Sequence, residues 1–133
     1  RRRLQEKVNP GDAKRILLLE DSQDTRALLS RQLSKAGYEV LEAEDAVEAA
    51  RRLLEGLPQL IIADIQLPYM SGDKFIAALR AEPAGRDIPV ILLSVDPHLE
   101  HHAKRLGAAA YFDKSVTIER LLEVVDFYLG RDV

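Results

Sequence analysis

Four short runs of uninterrupted apolar residues punctuate the chain, and each stops abruptly at polar residues. Ile16-Leu17-Leu18-Leu19 stops at Glu20-Asp21, Leu60-Ile61-Ile62-Ala63 at Asp64, and Val90-Ile91-Leu92-Leu93 at Ser94. Ala109-Ala110-Tyr111-Phe112 stops at Asp113-Lys114. Runs this short, with no polar alternation, describe strands buried on both faces, which requires a sheet covered by helices on either side. A fifth, shorter strand is expected over Tyr38-Glu39-Val40-Leu41-Glu42-Ala43.

Helical patterns fill the intervals. Ser22 or Asp24 caps a helix with Leu29, Leu33 and Ala36 at helical spacing, ended by Gly37. Asp45 caps a second, with Val47, Ala50 and Leu54 expected on its inner face and Gly56 closing it. A third turns Phe75, Ala78 and Leu79 inward and runs to Glu82-Pro83. A polar, histidine-rich fourth helix spans about Leu99 to Leu106, and a fifth carries Ile118, Leu121, Leu122, Val125 and Leu129 on one stripe. Five strand–helix alternations with short loops imply right-handed crossovers and a doubly wound (βα)5 parallel sheet of the α/β class. The expected strand order is 2-1-3-4-5. Such sheets bind ligands beyond the carboxyl ends of their strands where the order reverses, here between the first and third strands.

The breaker Asn9-Pro10-Gly11-Asp12 puts a boundary after residue 12, dividing a basic linker or leader (1–12) from one domain (13–133). Leu4 and Val8, at helical spacing, suggest the tail of a preceding helix. Residues 1–15 carry a net charge of +4 against −3 for the whole chain, leaving an acidic body that argues against direct nucleic-acid binding. The start at Arg1 rather than methionine suggests a processed chain or a segment of a larger parent. With no cysteine, disulfides and thiolate chemistry are excluded. No apolar run approaches the roughly 18 residues of a membrane span, and no signal-peptide stretch opens the chain, so a cytoplasmic location is expected.

The chemistry-bearing residues stand where the apolar runs end. Glu20 and Asp21, Asp64, Ser94 and Lys114 come from four strands and would converge on one rim. Singly, each has an ordinary use as a helix cap, turn former or solvated charge; together they would require several coincidences. Clustered carboxylates raise one another's pKa unless a cation neutralises them. Hard oxygen ligands with an open face suit Mg²⁺, one carboxylate is left as a nucleophile, and a lysine and a hydroxyl can hold phosphoryl oxygens.

These residues resemble the receiver domains of response regulators, over about Lys14 to the end of the chain. The resemblance rests on Ile16–Ser22 (ILLLEDS), Leu60–Gly72 (LIIADIQLPYMSG), Pro89–Ser94 (PVILLS) and Gly107–Lys114 (GAAAYFDK), with the Asp64, Pro68 and Gly72 spacing the most specific. It implies a flavodoxin-like fold and a signalling phosphoacceptor rather than an enzyme. Asp64 would accept the phosphoryl group from a phosphohistidine on a histidine kinase or phosphotransfer domain. Asp21, Asp64 and the backbone carbonyl of Gln66 would bind Mg²⁺, with Glu20 acting through water. Ser94 and Lys114 would hold the phosphoryl group, Tyr111 would be the switch aromatic, and the fourth helix, fifth strand and fifth helix would form the face for a downstream protein or self-association. An alternative is a degenerate receiver acting as a phosphorylation-independent interaction module.

Two positions depart from the family pattern. Ser115 follows Lys114 where proline is usual, and a cis bond there would cost roughly 2.5–4 kcal/mol, so a different placement of Lys114 is expected. Val95 follows Ser94 where a small residue is usual and could crowd the pocket. The short interval from Ser94 to Lys114 predicts a trimmed fourth helix. Gln66 and Asp96 lie where side chains admit or block a hydrolytic water. His98 and His102 share the i, i+4 spacing of metal ligands, but no third ligand beyond Asp96 is evident. An aspartate-nucleophile phosphatase of the haloacid dehalogenase type would carry an acid at Gln66. A flavin binder would want a phosphate-cradling loop where Glu20-Asp21 stand, and no P-loop is present.

Overall fold

The computed structural model describes residues 13–130; the basic segment 1–12 and its boundary lie outside them. Five strands, β1 (Arg15–Leu19), β2 (Glu39–Ala43), β3 (Leu60–Ala63), β4 (Val90–Ser94) and β5 (Ala110–Asp113), form one parallel sheet in the order β2-β1-β3-β4-β5. They alternate with α1 (Gln23–Lys35), α2 (Ala46–Glu55), α3 (Gly72–Ala81), α4 (Leu99–Leu106) and α5 (Ile118–Tyr128). This is the doubly wound arrangement that the apolar runs predict, and the flavodoxin-like fold that the resemblance implies.

The pleat sorts each run between two cores. Leu17, Leu19, Ile61, Ala63, Val90 and Leu92 face α2, α3 and α4, while Ile16, Leu18, Leu60, Ile62, Ile91 and Leu93 face α1 and α5. Neither face of the central strands meets water, which is why these runs carry no polar alternation. Register brings the ends of β1 and β3 level: Leu19 pairs with Ala63, and the next amide, Asp64 N–H, donates to the Leu19 carbonyl at 3.0 Å. Glu20 N–H likewise donates to the Ala43 carbonyl of β2 at 3.0 Å.

The helix caps follow the sequence. Ser22 Oγ accepts from Thr25 N–H and Asp45 Oδ1 from Glu48 N–H. α4 is two turns long and ends on left-handed Gly107. The inner face of α2, however, differs from expectation. Val47, Ala50 and Leu54 point to solvent, and Ala46 and Ala49 are buried with Leu53 packed beside them. Small alanines let this helix lie close to the sheet, so the bulkier stripe is the outer one. In α3, Ile76 rather than Ala78 joins Phe75 and Leu79 inside.

Tyr38 closes the far side of the fold. It is 4% exposed, and its hydroxyl donates to the Asp126 carboxylate of α5. A bond to a charged acceptor contributes about 1.5–3 kcal/mol, and Asp126 keeps some access to water when it is lost. Tyr38→Phe is therefore expected to lower unfolding free energy by roughly 1–2 kcal/mol. Urea denaturation would show a reduced midpoint with an unchanged slope; an unchanged midpoint would discount the bond.

Candidate functional site

Glu20, Asp21 and Asp64 emerge at the carboxyl ends of β1 and β3, the point where strand order reverses. Their carboxylate oxygens lie within 4.8 Å of one another, the only such acidic or histidine group among the described residues. Glu20 is 2% exposed and Asp64 3%, while Asp21 is open to solvent. Lys114, just past β5, reaches over β4 to bridge the two buried acids, with Nζ 2.6 Å from Asp64 Oδ2 and 2.9 Å from Glu20 Oε1.

Backbone donors orient the same groups. Gln66 N–H donates to Asp64 Oδ1 at 3.0 Å and Ser22 N–H to Glu20 Oε2 at 2.9 Å. Arg26, in the second turn of α1, donates to the Glu20 carbonyl at 2.7 Å and to Glu42 Oε1 at 3.2 Å. Its role was not legible in the sequence, because Glu42 comes from another strand.

Burial pushes the Glu20 carboxyl above its ordinary range, and the bonds from Lys114 and Ser22 N–H offset this only in part. Burial works against the Lys114 ammonium too, but the bonds and charges of Asp64 and Glu20 outweigh it and raise its pKa. One ammonium against three carboxylates leaves the pocket negative. An all-oxygen donor set with one exposed member fits a hard divalent cation such as Mg²⁺ better than a thiolate- or imidazole-seeking metal.

Ser94 is fully buried at the end of β4, and its Oγ accepts from Asp96 N–H at 3.2 Å. Asp96 Oδ1 in turn accepts from His98 N–H at 2.7 Å, at the entry to α4. Tyr111 is not drawn into the pocket: it is 40% exposed. It lines a groove of about 600 Å³ with Lys104, Arg120 and Phe127, between α4, β5 and α5.

No peptide bond among the described residues is cis, so Lys114–Ser115 is trans, and Lys114 still reaches both acids. Val95 points outward at 57% exposure instead of filling the pocket. His98 and His102 form no metal-ligand group with Asp96. His102 lies 3.7 Å from Asp73 of α3, which also accepts from Arg105 at 3.1 Å. Burial alone would raise Asp73, but a Ser71 bond, the charge of His102 and the Arg105 bond outweigh it and hold the carboxyl below its ordinary value. This link between α3 and α4 had no local sequence signal.

The β3–α3 loop is folded tightly under the acid. Gly72 N–H donates to the Ile65 carbonyl at 2.7 Å, and a β-carbon at Gly72 would stand 1.9 Å from the Asp64 carbonyl oxygen. Only glycine permits that approach.

A doubly wound sheet with an all-oxygen acidic pocket and a bridging lysine at its switch point defines the class of protein. Comparison with known proteins gives the family. Residues 16–126 match the response regulator receiver domain. The phosphate regulon transcriptional regulatory protein PhoB of Escherichia coli (strain K12) is 37% identical over 121 residues, covering 90% of this chain and 53% of PhoB. The polar-differentiation response regulator DivK of Brucella anthropi is 30% identical over 119 residues, covering 88% of this chain and 97% of DivK. Among solved structures, the signal receiver domain of a signal transduction histidine kinase from Syntrophus aciditrophicus superposes with a TM-score of 0.82 at 32% identity, covering 89% and 91% of the two chains. The chain belongs to the response regulator receiver family of two-component signal transduction. It spans about half the length of PhoB.

Two outcomes follow from the pocket. A carboxyl raised on folding contributes stability that is complete below its ordinary value of 4.5 and is lost as pH rises through the raised value. In divalent-free buffer Glu20→Gln is therefore expected to raise Tm at pH 7, with the gain vanishing below pH 4.5; a lowered Tm at pH 7 would contradict the direction given. Gly72→Ala should cost on the order of 3 kcal/mol through overpacking, measured by chemical denaturation; a loss below about 0.5 kcal/mol would mean the loop yields freely.

Proposed function

We propose that this receiver is the phosphoacceptor of a phosphorelay and that Asp64 takes a phosphoryl group from a phosphohistidine on a histidine kinase or phosphotransfer domain. The observation that carries the reading is the buried Asp64 carboxylate, bonded to Lys114 and grouped with Glu20 and Asp21. An Asp64 carboxylate oxygen forms the new bond to phosphorus as the phosphorus–nitrogen bond breaks, and the imidazole leaves with a proton from solvent. The Gln66 amide and the Lys114 ammonium hold Asp64 in one orientation before attack, the positioning on which phosphoryl transfer depends.

Asp21, Asp64 and the Gln66 carbonyl would hold Mg²⁺, with Glu20 acting through a water. The bound ion supplies neutralisation of charge on the transferring phosphoryl group. Lys114 exchanges its bond to Asp64 for one to a phosphoryl oxygen. The Ser94 hydroxyl keeps its proton for a second oxygen, since its Oγ acts as acceptor toward Asp96 N–H.

Ser94 moving toward the phosphoryl group vacates space into which Tyr111 turns, reshaping the α4–β5–α5 face toward a downstream protein or a second copy. New charge-assisted bonds at Asp64 bias this two-state equilibrium. The domain extends over 13–133 behind a basic linker, works in the cytoplasm without binding nucleic acid directly, and signals rather than turning over a substrate.

Incubation with acetyl phosphate and Mg²⁺, read by intact mass, is expected to add one phosphoryl group to the native protein and none to Asp64→Ala, with chelation abolishing the gain. A folded native protein that gains nothing under conditions that label a competent receiver would overturn the acceptor reading and favour the phosphorylation-independent interaction module.

A further inference from the structure

Within the acidic group, Asp21 is the member whose side chain nothing among the described residues holds. Glu20 is fixed by Lys114 and Ser22 N–H, and Asp64 by Lys114 and Gln66 N–H. The Asp21 carboxylate is open to solvent and has no hydrogen bond or ion pair among the described residues. Its direction is therefore set by its backbone, and above all by the peptide that joins Glu20 to Asp21. That peptide has a single anchor there. Its N–H, on Asp21, is unpaired, and its carbonyl, on Glu20, accepts from Arg26 Nη1 at 2.7 Å.

Arg26 is itself held at both ends. Its backbone N–H donates to the Ser22 carbonyl at 2.9 Å as α1 begins. Its Nε donates to Glu42 Oε1 at 3.2 Å, and the side chain is only 14% exposed. Glu42 directly precedes Ala43, whose carbonyl accepts the Glu20 amide, so the end of β2 braces Glu20 on both of its peptides. Resting on the reading of the pocket as a Mg²⁺ site, we propose that Arg26, clamped by Glu42, is a positioning residue for the cation. It fixes the Glu20–Asp21 peptide so that the Asp21 carboxylate stands within 4.8 Å of the Glu20 and Asp64 oxygens before any ion arrives.

Charge alone predicts the opposite effect, and the two can be weighed. A guanidinium beside an acidic pocket repels an incoming cation, so as a plain charge Arg26 would weaken Mg²⁺ binding. Its ion pair with Glu42 largely cancels that charge at a distance. Groups that orient a metal ligand from behind, by contrast, typically change metal affinity by about 10–100-fold. Orientation is therefore the larger effect. Arginine suits the task because its planar fork aims Nε and Nη1 at two acceptors in fixed directions, which the point charge of lysine cannot do.

The test titrates isotope-labelled protein with magnesium chloride alone and follows the amide shifts of residues 20–22 and 64–66. Arg26→Lys keeps the charge without the fork, and Arg26→Gln removes both. Each is expected to weaken Mg²⁺ binding by about tenfold or more. Glu42→Gln should weaken it by a smaller factor in the native background and no further on top of Arg26→Gln, since Glu42 acts through Arg26. Tighter binding by Arg26→Gln, with Arg26→Lys unchanged, would make the guanidinium a mere charge and overturn the proposal. Unchanged affinity in all three variants with a lowered unfolding midpoint would reduce Arg26 to a link between α1 and β2, and would overturn it equally. Should Arg26→Gln fail to fold, native affinity in Arg26→Lys would be enough to sink it. A native protein whose amides ignore magnesium would instead overturn the Mg²⁺ reading itself, an outcome distinct from a response that every variant shares.

Discussion

Lys114 stands between two carboxylates that are almost completely withdrawn from water, and the ends of β1, β3 and β5 depend on that contact. Glu20 and Asp64 belong to adjacent strands, so the register that buries Leu19 against Ala63 also forces their negative charges together. Withdrawing each charge from water costs several kcal/mol in practice, and a lone pair of like charges adds to that cost. The ammonium supplies the countercharge from two strands beyond Asp64, passing over β4. It thereby ties the edge strand to the centre of the sheet. The raised Glu20 carboxyl shows that the compensation is incomplete.

The rim divides into two sets of contacts. Glu20, Asp64 and Lys114 are locked by one another and by the amides of Ser22 and Gln66. Ser94 and Tyr111 are not part of that lock: Ser94 is bonded to the start of the α4 loop, and Tyr111 is 40% exposed. The Asp73–His102–Arg105 contact joins α4 to the first turn of α3.

Much of this was legible in the chain, and the exceptions share a cause. The apolar runs located the strands because both faces of a central parallel strand are dry, and the acids that interrupt the runs located the rim. In α2, periodicity offered two stripes of equal spacing, Val47-Ala50-Leu54 and Ala46-Ala49-Leu53. Side-chain size favoured the wrong one, since close approach to the sheet selects alanine. In α3, Ala78 was expected inside but is exposed, and Ile76 is fully buried instead. Lys114 could be placed on the rim but not assigned its partners. Arg26 and Asp73 join elements distant in sequence, so no local pattern announced them.

Arg80 shows how a surface connection can lose its usual tolerance of length changes. From α3 its Nη1 lies 3.2, 3.1 and 2.6 Å from the carbonyls of Gly85, Arg86 and Ile88, while its Nε donates to Leu106 at the end of α4. Loops ordinarily accept an added residue at little entropic cost. Here three carbonyls within four consecutive residues are aimed at one guanidinium, so an insertion between Gly85 and Ile88 would rotate some of them away and leave the fork partly unmatched. Lysine, with a single point charge, could not span the same set. The crossover into β4 is thus closed to changes of length.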